Sequence, residues 1–119
     1  MREYKTIGLD LAKRKFHFVV LNSEGKKVLA KKCDSEDLIS VLLNTVCPKT
    51  FNGVIAMEAC SGCHYWARIF QQQGYQVKVL KTIDVKAYAK IRQKNDINDA
   101  LAIAKASLDQ DLIPFPSLN

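Results

Sequence analysis

Apolar and polar residues alternate over the first third of the chain in the pattern typical of β-strands. Residues 5–11 place aliphatic side chains on one face and a threonine, a glycine and Asp10 on the other. Residues 15–21 are rich in strand-forming residues, and residues 26–32 form a third candidate strand. The turn-forming residues 22–25 separate the last two segments. These segments are predicted to form an antiparallel meander.

The next segment changes to a helical period. Apolar residues at four-residue steps predict an amphipathic helix over residues 35–46, with Asp34 and Ser35 as its N-cap. Pro48 is expected to end this helix. Residues 53–58 form a short apolar run that predicts a buried strand.

The rest of the chain continues the alternation of helices and strands. We predict helices over residues 63–73 and 83–91, a strand over 75–80, and a last helix from Asn95-Asp96 to about residue 109. The overall order is β-β-β-α-β-α-β-α. This order predicts an α/β fold with a mixed sheet covered by helices.

The length of 119 residues is typical of one domain. We expect this domain to span residues 1–110, and the proline-containing residues 111–119 to form an irregular tail. No stretch is long and apolar enough to span a bilayer, and the N-terminus lacks a signal-peptide pattern. These features predict a cytoplasmic protein without a membrane partner.

Four carboxylates stand out as candidate metal ligands. Asp10 lies within an apolar strand, and Glu58 ends another strand that we expect to lie beside the first. Asp96 and Asp99 are three residues apart and share one face of a helix. Converging carboxylates repel one another unless a cation neutralises them, and their hard oxygen atoms suit Mg²⁺ or Mn²⁺. Two such ions can clamp the oxygens of a phosphodiester during cleavage.

Each of these residues also has a structural interpretation. Asp10 can begin a turn, and Glu58 can be a solvated strand end. Asp96 suits a helix N-cap, and Asp99 suits the positive end of the helix dipole. Only the pattern of all four residues favours the metal site.

Basic residues outnumber acidic ones by 18 to 12, giving a net charge of +6 that suits a polyanion such as DNA. Two basic segments border the acidic residues in sequence, and we predict that they contact phosphate groups, although an ordinary solvated surface is the alternative. These segments are residues 13–15 and 81–94. Tyr88, in the second of them, is expected to pack in the core rather than stack on a base. The predicted nucleic-acid-binding residues are Lys13, Arg14, Lys15, Lys81, Lys86, Lys90, Arg92 and Lys94.

Four short motifs lie in fixed order along the chain: Gly8-Leu-Asp-Leu-Ala-Lys13, Met57-Glu-Ala-Cys-Ser-Gly62, His64-Tyr-Trp-Ala-Arg68 and Lys94-Asn-Asp-Ile-Asn-Asp-Ala100. The second and fourth motifs, in this order and spacing, are the most specific. These motifs resemble those of the DEDD transposases of insertion sequences, which include the Piv-type DNA invertase and recombinases guided by a bridge RNA. The resemblance covers about residues 6–109.

The resemblance implies an RNase H-like, RuvC-like fold with a five-stranded sheet, and it makes Asp10, Glu58, Asp96 and Asp99 the family's four catalytic acidic residues. It also implies Mg²⁺-dependent cleavage and strand transfer of DNA, with a guide RNA and a homo-oligomer as possible partners of the full-length enzyme. Family members carry a C-terminal domain with a proposed nucleophilic serine, and we expect this chain to lack that domain. We therefore expect the isolated domain to be incomplete as an enzyme.

The cysteines suggest a competing chemistry. Cys60-Ser-Gly-Cys63-His64 fits the attachment motif of c-type haem, but no export signal accompanies it. A zinc site would combine Cys60 and Cys63 with Cys33 and Cys47, or with His64. We favour a third interpretation, in which residues 60–62 form a strand-to-helix turn behind Glu58.

Three other functions stay open from the sequence. The chain can be a non-catalytic nucleic-acid-binding remnant of a transposase, or a stand-alone junction nuclease similar to RuvC. A redox or metal-thiolate protein is the third. Activity of the isolated domain on DNA would distinguish an enzyme from the non-catalytic remnant, and selective cleavage of junctions would indicate the RuvC-like nuclease. Colour or tightly bound zinc would indicate the redox or metal-thiolate protein.

Overall fold

A computed structural model describes residues 4–11, 15–89, 96–110 and 112 of the chain, and side chains at 96–98 are outside the description. The strands in this part of the chain are β1 (Tyr4–Leu11), β2 (Lys15–Asn22), β3 (Lys27–Asp34), β4 (Val54–Glu58) and β5 (Gln76–Leu80). They form a mixed five-stranded sheet with the strand order β3-β2-β1-β4-β5. The first three strands are antiparallel, and β4 and β5 run parallel to β1.

Helices cover both faces of this sheet; they are α1 (Leu38–Thr45), α2 (Cys63–Gln72), α3 (Thr82–Lys86) and α4 (Asp96–Ser107). One face packs against α1 and α2 through the larger part of the core, which includes Phe18, Leu42 and Phe70. The other face packs against α3 and α4. This architecture confirms the predicted α/β class and is consistent with an RNase H-like fold.

The turn between β2 and β3 forms as predicted. The side-chain oxygen of Asn22 accepts hydrogen bonds from the backbone N–H groups of Glu24 and Lys26, each at 3.0 Å. Gly25 adopts a φ of 79°, a conformation that glycine enters at little cost. The local sequence therefore fixes this hairpin.

Two predicted helices differ from the observed ones. Residues Ser35–Asp37 form a 3₁₀ turn, so α1 starts only at Leu38. Asp34 makes no capping hydrogen bond, and its carboxylate instead forms a salt bridge with Lys15, its partner across β2 and β3. The helix predicted over 83–91 ends at Lys86 and continues as a turn, and its residues 90 and 91 lie outside the described part.

The last helix lies directly on the sheet. A side-chain carbon on Gly8 would overlap the carbonyl oxygen of Ala100 and come within 2.7 Å of the side chain of Ala104. At the far end of α4, the buried hydroxyl groups of Thr6 and Ser107 are 2.7 Å apart. Helix α4 therefore runs antiparallel to β1, and its first turn lies towards the carboxyl end of that strand.

Candidate active site at the carboxyl ends of the parallel strands

Asp10 and Glu58 occupy equivalent positions on two neighbouring parallel strands. Leu9 of β1 is the register partner of Met57 of β4, and each acidic residue comes directly after one of them. Both acidic residues are half-buried. Because side chains alternate along a strand, both carboxylates lie on the face that α4 covers. The fold therefore brings together two acidic residues that are 48 positions apart in sequence.

Helix α4 places Asp99 close to this pair. Ala100 packs on Gly8, two residues before Asp10, and Asp99 is exposed beside it. The N-terminal turn of a helix carries a partial positive charge, which offsets some of the repulsion between acidic residues there. Asp96 is the first residue of α4, and its side chain lies outside the described residues.

The electrostatics of Glu58 report on its neighbours. Burial raises the pKa of the Glu58 carboxyl above its ordinary value, and the negative charge of Asp99 raises it further. The positive charge of Lys86 has the opposite effect on this pKa. Asp99 and Lys86 therefore lie close enough to Glu58 to influence its ionisation.

The described part of the chain does not by itself complete a metal-binding cluster. Among the side chains that the structure describes, no three acidic, histidine or cysteine residues are grouped closely enough to hold an ion. Asp96 falls outside that comparison. The assignment of Asp10, Glu58, Asp96 and Asp99 as metal ligands therefore stays a prediction.

Cys60 lies in the turn that follows Glu58. It is exposed, whereas Cys63 is buried at the start of α2. Although Cys60 is exposed, partial desolvation of its sulfur raises the pKa of the thiol, and the negative charges of Glu58 and Asp10 raise it further. This turn joins β4 to α2, as the preferred interpretation of residues 60–62 predicts.

The same residues argue against a thiolate site. All four cysteines have free thiols, and His64 is exposed on α2. Cys33 and Cys47 are not grouped with Cys60 and Cys63 among the described side chains. The geometry gives no support to the zinc alternative.

The predicted DNA-binding residues fall into three groups. Lys81 and Lys86 are exposed, and Lys86 influences Glu58 as described above. Lys15 is exposed but paired with Asp34. The remaining residues lie outside the described part of the chain; they are Lys13, Arg14, Lys90, Arg92 and Lys94.

Tyr88 packs partly against the core between α3 and α4, and its hydroxyl donates a 2.6 Å hydrogen bond to the carboxylate of Asp109. Tyr88 therefore serves a packing role, as expected from the sequence.

His17 is a neighbour of the acidic pair that the sequence did not single out. It is the register partner of Asp10 across β1 and β2, and it is 7% exposed. Opposed residues of an antiparallel pair share one sheet face. The only sequence signal was a histidine within an apolar strand, and such a residue is more often a satisfied core residue. The register was needed to place His17 beside Asp10.

No helix among the described residues combines the length and apolar character of a membrane-spanning segment.

Comparison with known proteins agrees with this architecture. The sequence model of the IS110-type DEDD transposases, described as a transposase, matches residues 7–118. The chain is 37% identical over 101 residues to the transposase for insertion sequence element IS1328 of Yersinia enterocolitica, a match covering 85% of this chain and 28% of that protein.

A second relative is the transposase for insertion sequence element IS1111A of Coxiella burnetii. It is 32% identical over 107 residues, which cover 90% of this chain and 28% of that protein. The chain thus spans little more than a quarter of the length of these two relatives. The family match, in contrast, extends over nearly the whole chain. The chain belongs to the IS110-type family of DEDD transposases of insertion sequences.

Proposed function

We propose that this chain is the metal-binding catalytic domain of a transposase that cleaves DNA phosphodiester bonds and transfers the strands. The observation that carries the proposal is the common level of Asp10 and Glu58 at the ends of adjacent parallel strands. The influence of Asp99 on the ionisation of Glu58 adds a third carboxylate to the same region.

The chemistry of these side chains fits a hard divalent cation. Carboxylate oxygens are the ligands that Mg²⁺ and Mn²⁺ prefer. The raised pKa of Glu58 supports the fit, because a cation at this position would relieve both the burial of its charge and the repulsion from Asp99. In the proposal, Asp10, Glu58, Asp96 and Asp99 hold the metal. When bound, such ions stabilise the attacking and leaving oxygens of a phosphodiester.

The chain itself supplies positioning and charge. The backbones of Asp10 and Glu58 are held in the sheet, so the α-carbons that carry the two carboxylates are kept in place before a ligand binds. Lys86 lies near Glu58 and is exposed, so it is suited to holding a DNA phosphate at the acidic end. For the whole protein, we further propose a homo-oligomer that acts in the cytoplasm with a guide RNA.

Calorimetric titration with Mn²⁺ tests the proposal. We expect binding to the wild-type chain in the presence of a short DNA duplex, and a loss of at least about tenfold in affinity for Asp10→Asn and for Glu58→Gln. Asp99→Asn should also weaken binding. Circular dichroism would verify that each variant is folded.

Glu36→Gln provides a matched control. Glu36 is an exposed acidic residue in the 3₁₀ turn before α1, and removing its charge should leave Mn²⁺ affinity unchanged. Equal affinities for the wild type, Asp10→Asn and Glu58→Gln would exclude this carboxylate site. Metal binding without cleavage of DNA would instead support a non-catalytic role for the isolated domain.

A further inference from the structure

Strand β3 forms one edge of the sheet and carries an unusual number of lysines. Lys27, Lys31 and Lys32 are all exposed. None of the three forms an ion pair with any residue that the structure describes, whereas Lys15 is paired with Asp34. Lysines on an edge strand commonly prevent pairing with a second sheet. This structural role requires positive charge along the edge but has no preference for one face of the sheet.

The strand register separates these lysines by face. Lys32 is the partner of His17, which is in turn the partner of Asp10. Lys27 is the partner of Leu21, which packs in the core beneath α4. Lys27 and Lys32 therefore lie on the face that carries Asp10. Lys31 is the partner of Phe18 in the opposite core, so it lies on the other face.

One row of residues connects this strand to the acidic end of the sheet. Lys32, His17, Asp10 and Glu58 follow one another across β3, β2, β1 and β4. Neighbouring strands are about 4.8 Å apart, so the α-carbons of Lys32 and Asp10 are separated by roughly 10 Å. A single nucleic-acid backbone can span this distance, because its phosphates recur every few ångströms.

Among the residues that the structure describes, this row is exposed at Lys32, on β3, and covered at His17, which is 7% exposed. Helix α4 packs on β1 and β2, and Ala30 of β3, which lies on the same face between Lys27 and Lys32, is exposed. A chain that approaches from the β3 edge therefore meets positive charge before it meets the carboxylates. This positively charged surface complements a polyanion and does not suit an apolar partner.

We propose that Lys27 and Lys32 bind the phosphate backbone of duplex DNA and guide it across β3 towards Asp10 and Glu58. The direction of the path rests on the proposed function of the acidic residues. The contact with DNA is independent of that function, because it requires only the two lysines and the exposed surface of β3. These two residues add a second basic surface to the one that contains Lys81 and Lys86.

Fluorescence anisotropy with a labelled DNA duplex tests this surface. The titrations would use the full 119-residue chain in EDTA, so that a failure of metal binding does not affect the result. We expect Lys27→Gln and Lys32→Gln each to weaken binding by about three- to tenfold, and to lower the slope of log affinity against log salt by about 1.

Lys31→Gln is the matched control, because it removes the same charge from the same strand on the opposite face. We expect its affinity and salt slope to stay close to those of the wild type. Equal losses for Lys31→Gln and Lys32→Gln would overturn the proposal and indicate a general effect of net charge. Wild-type affinity in Lys27→Gln and Lys32→Gln, or no DNA binding by the wild type, would also overturn it.

A parallel titration with an RNA duplex of the same sequence identifies the partner. If Lys27→Gln and Lys32→Gln lose affinity for the RNA duplex but not for the DNA duplex, the assignment to DNA is overturned. Losses on DNA, accompanied by unchanged Mn²⁺ binding in Lys32→Gln, would support the DNA surface independently of the metal site.

Discussion

Gly8 of β1 and Ala100 of α4 approach each other so closely that no side chain fits between them. A methyl group on Gly8 would overlap the carbonyl oxygen of Ala100 and crowd Ala104. The two atoms that such a methyl group would meet first are the carbonyl oxygen of Ala100 and the amide nitrogen of Ala104. Both belong to the helix backbone, which has little room to move. The close approach also sets how near the first turn of α4 lies to Asp10.

We expect Gly8→Ala to move α4 away from the sheet. Overpacking of this kind typically lowers the free energy of unfolding by about 1–3 kcal/mol. Because Asp99 moves with the helix, Mn²⁺ affinity should fall as well. Urea unfolding and calorimetry on the same samples would measure both effects.

Gly74→Ala separates the two effects in this experiment. Gly74 has a φ of 102° and precedes β5, at the end of the sheet away from the acidic residues. Its replacement should lower stability by roughly 1–2 kcal/mol through backbone strain while Mn²⁺ affinity is retained. Unchanged Mn²⁺ affinity in Gly8→Ala would contradict a role for this contact in the site.

The raised pKa of Glu58 predicts a pH-dependent penalty on stability. The folded protein holds the Glu58 proton more tightly than the unfolded chain, so the charged form destabilises the fold. The penalty is present above the folded pKa and disappears as the pH falls towards the ordinary glutamate value of about 4.3. In EDTA, Glu58→Gln should therefore be more stable than the wild type near neutral pH, and equally stable below that value.

Urea unfolding across this pH range would measure the difference, with Glu36→Gln as an exposed carboxylate control. With saturating Mn²⁺ near neutral pH, the wild type should become more stable than Glu58→Gln, because the metal stabilises only a chain that binds it. A Glu58→Gln variant that is less stable than the wild type in EDTA would contradict the prediction.

Tyr75 predicts a loss of stability in alkali. Its hydroxyl is buried and donates a 2.6 Å hydrogen bond to the carbonyl oxygen of Val46, and burial raises its pKa to about 12. The folded state therefore requires the neutral phenol. The resulting stability is present below the ordinary pKa of about 10 and is lost as the pH rises towards 12.

Tyr75→Phe should lower the free energy of unfolding by about 1–3 kcal/mol near neutral pH, because the carbonyl group of Val46 loses its buried partner. The difference in free energy of unfolding between Tyr75→Phe and the wild type should become smaller as the pH rises towards 12. Tyr65→Phe is the control, since the side chain of Tyr65 is 58% exposed. A constant difference at all pH values would argue that packing, and not the hydroxyl, accounts for the effect.

The reactivity of Cys60 reports on the charges around it. Glu58 and Asp10 both raise the pKa of this thiol, so removing either charge should increase the fraction of thiolate. We expect Asp10→Asn and Glu58→Gln to accelerate alkylation of Cys60 by up to about fivefold, since a charge interaction near the surface contributes roughly 1 kcal/mol.

Mass spectrometry after brief treatment with iodoacetamide would give the rate at each cysteine. Cys47 is exposed and serves as an internal reference whose rate should stay constant. Unchanged labelling of Cys60 in both variants would place the carboxylates farther away than the structure does.

The alternation of side chains made the strands and the α/β class predictable, because burial on one face imposes a period of two. Residues 5–11 and 75–80, for example, correspond to β1 and β5 to within one residue at each end. The family motifs supplied the four acidic positions. The local pattern near Asp10 did not distinguish a ligand from the start of a turn.

Features that depend on tertiary contacts were not predictable in this way. Asp34 looked like an N-cap, but the lysine opposite it in the sheet takes its carboxylate, and α1 starts one turn later. The pairing of His17 with Asp10 depends on the register of β1 and β2. The same register decides that Lys32 and Lys31 face opposite sides, although the two residues are adjacent in sequence.

The hydroxyl contact between Thr6 and Ser107 fixes α4 at the end remote from the acidic residues, and Lys78 adds a 3.2 Å hydrogen bond to the carbonyl oxygen of Ser107. Eight residues, or about 12 Å of helix, separate Ser107 from Asp99. The contact at the amino ends of the strands therefore helps to set the position of Asp99, together with the packing of Ala100 on Gly8. For the proposed metal site, we expect substitutions at Thr6 or Lys78 to shift Asp99 without contacting it, which would give directed evolution adjustable positions remote from the acidic residues.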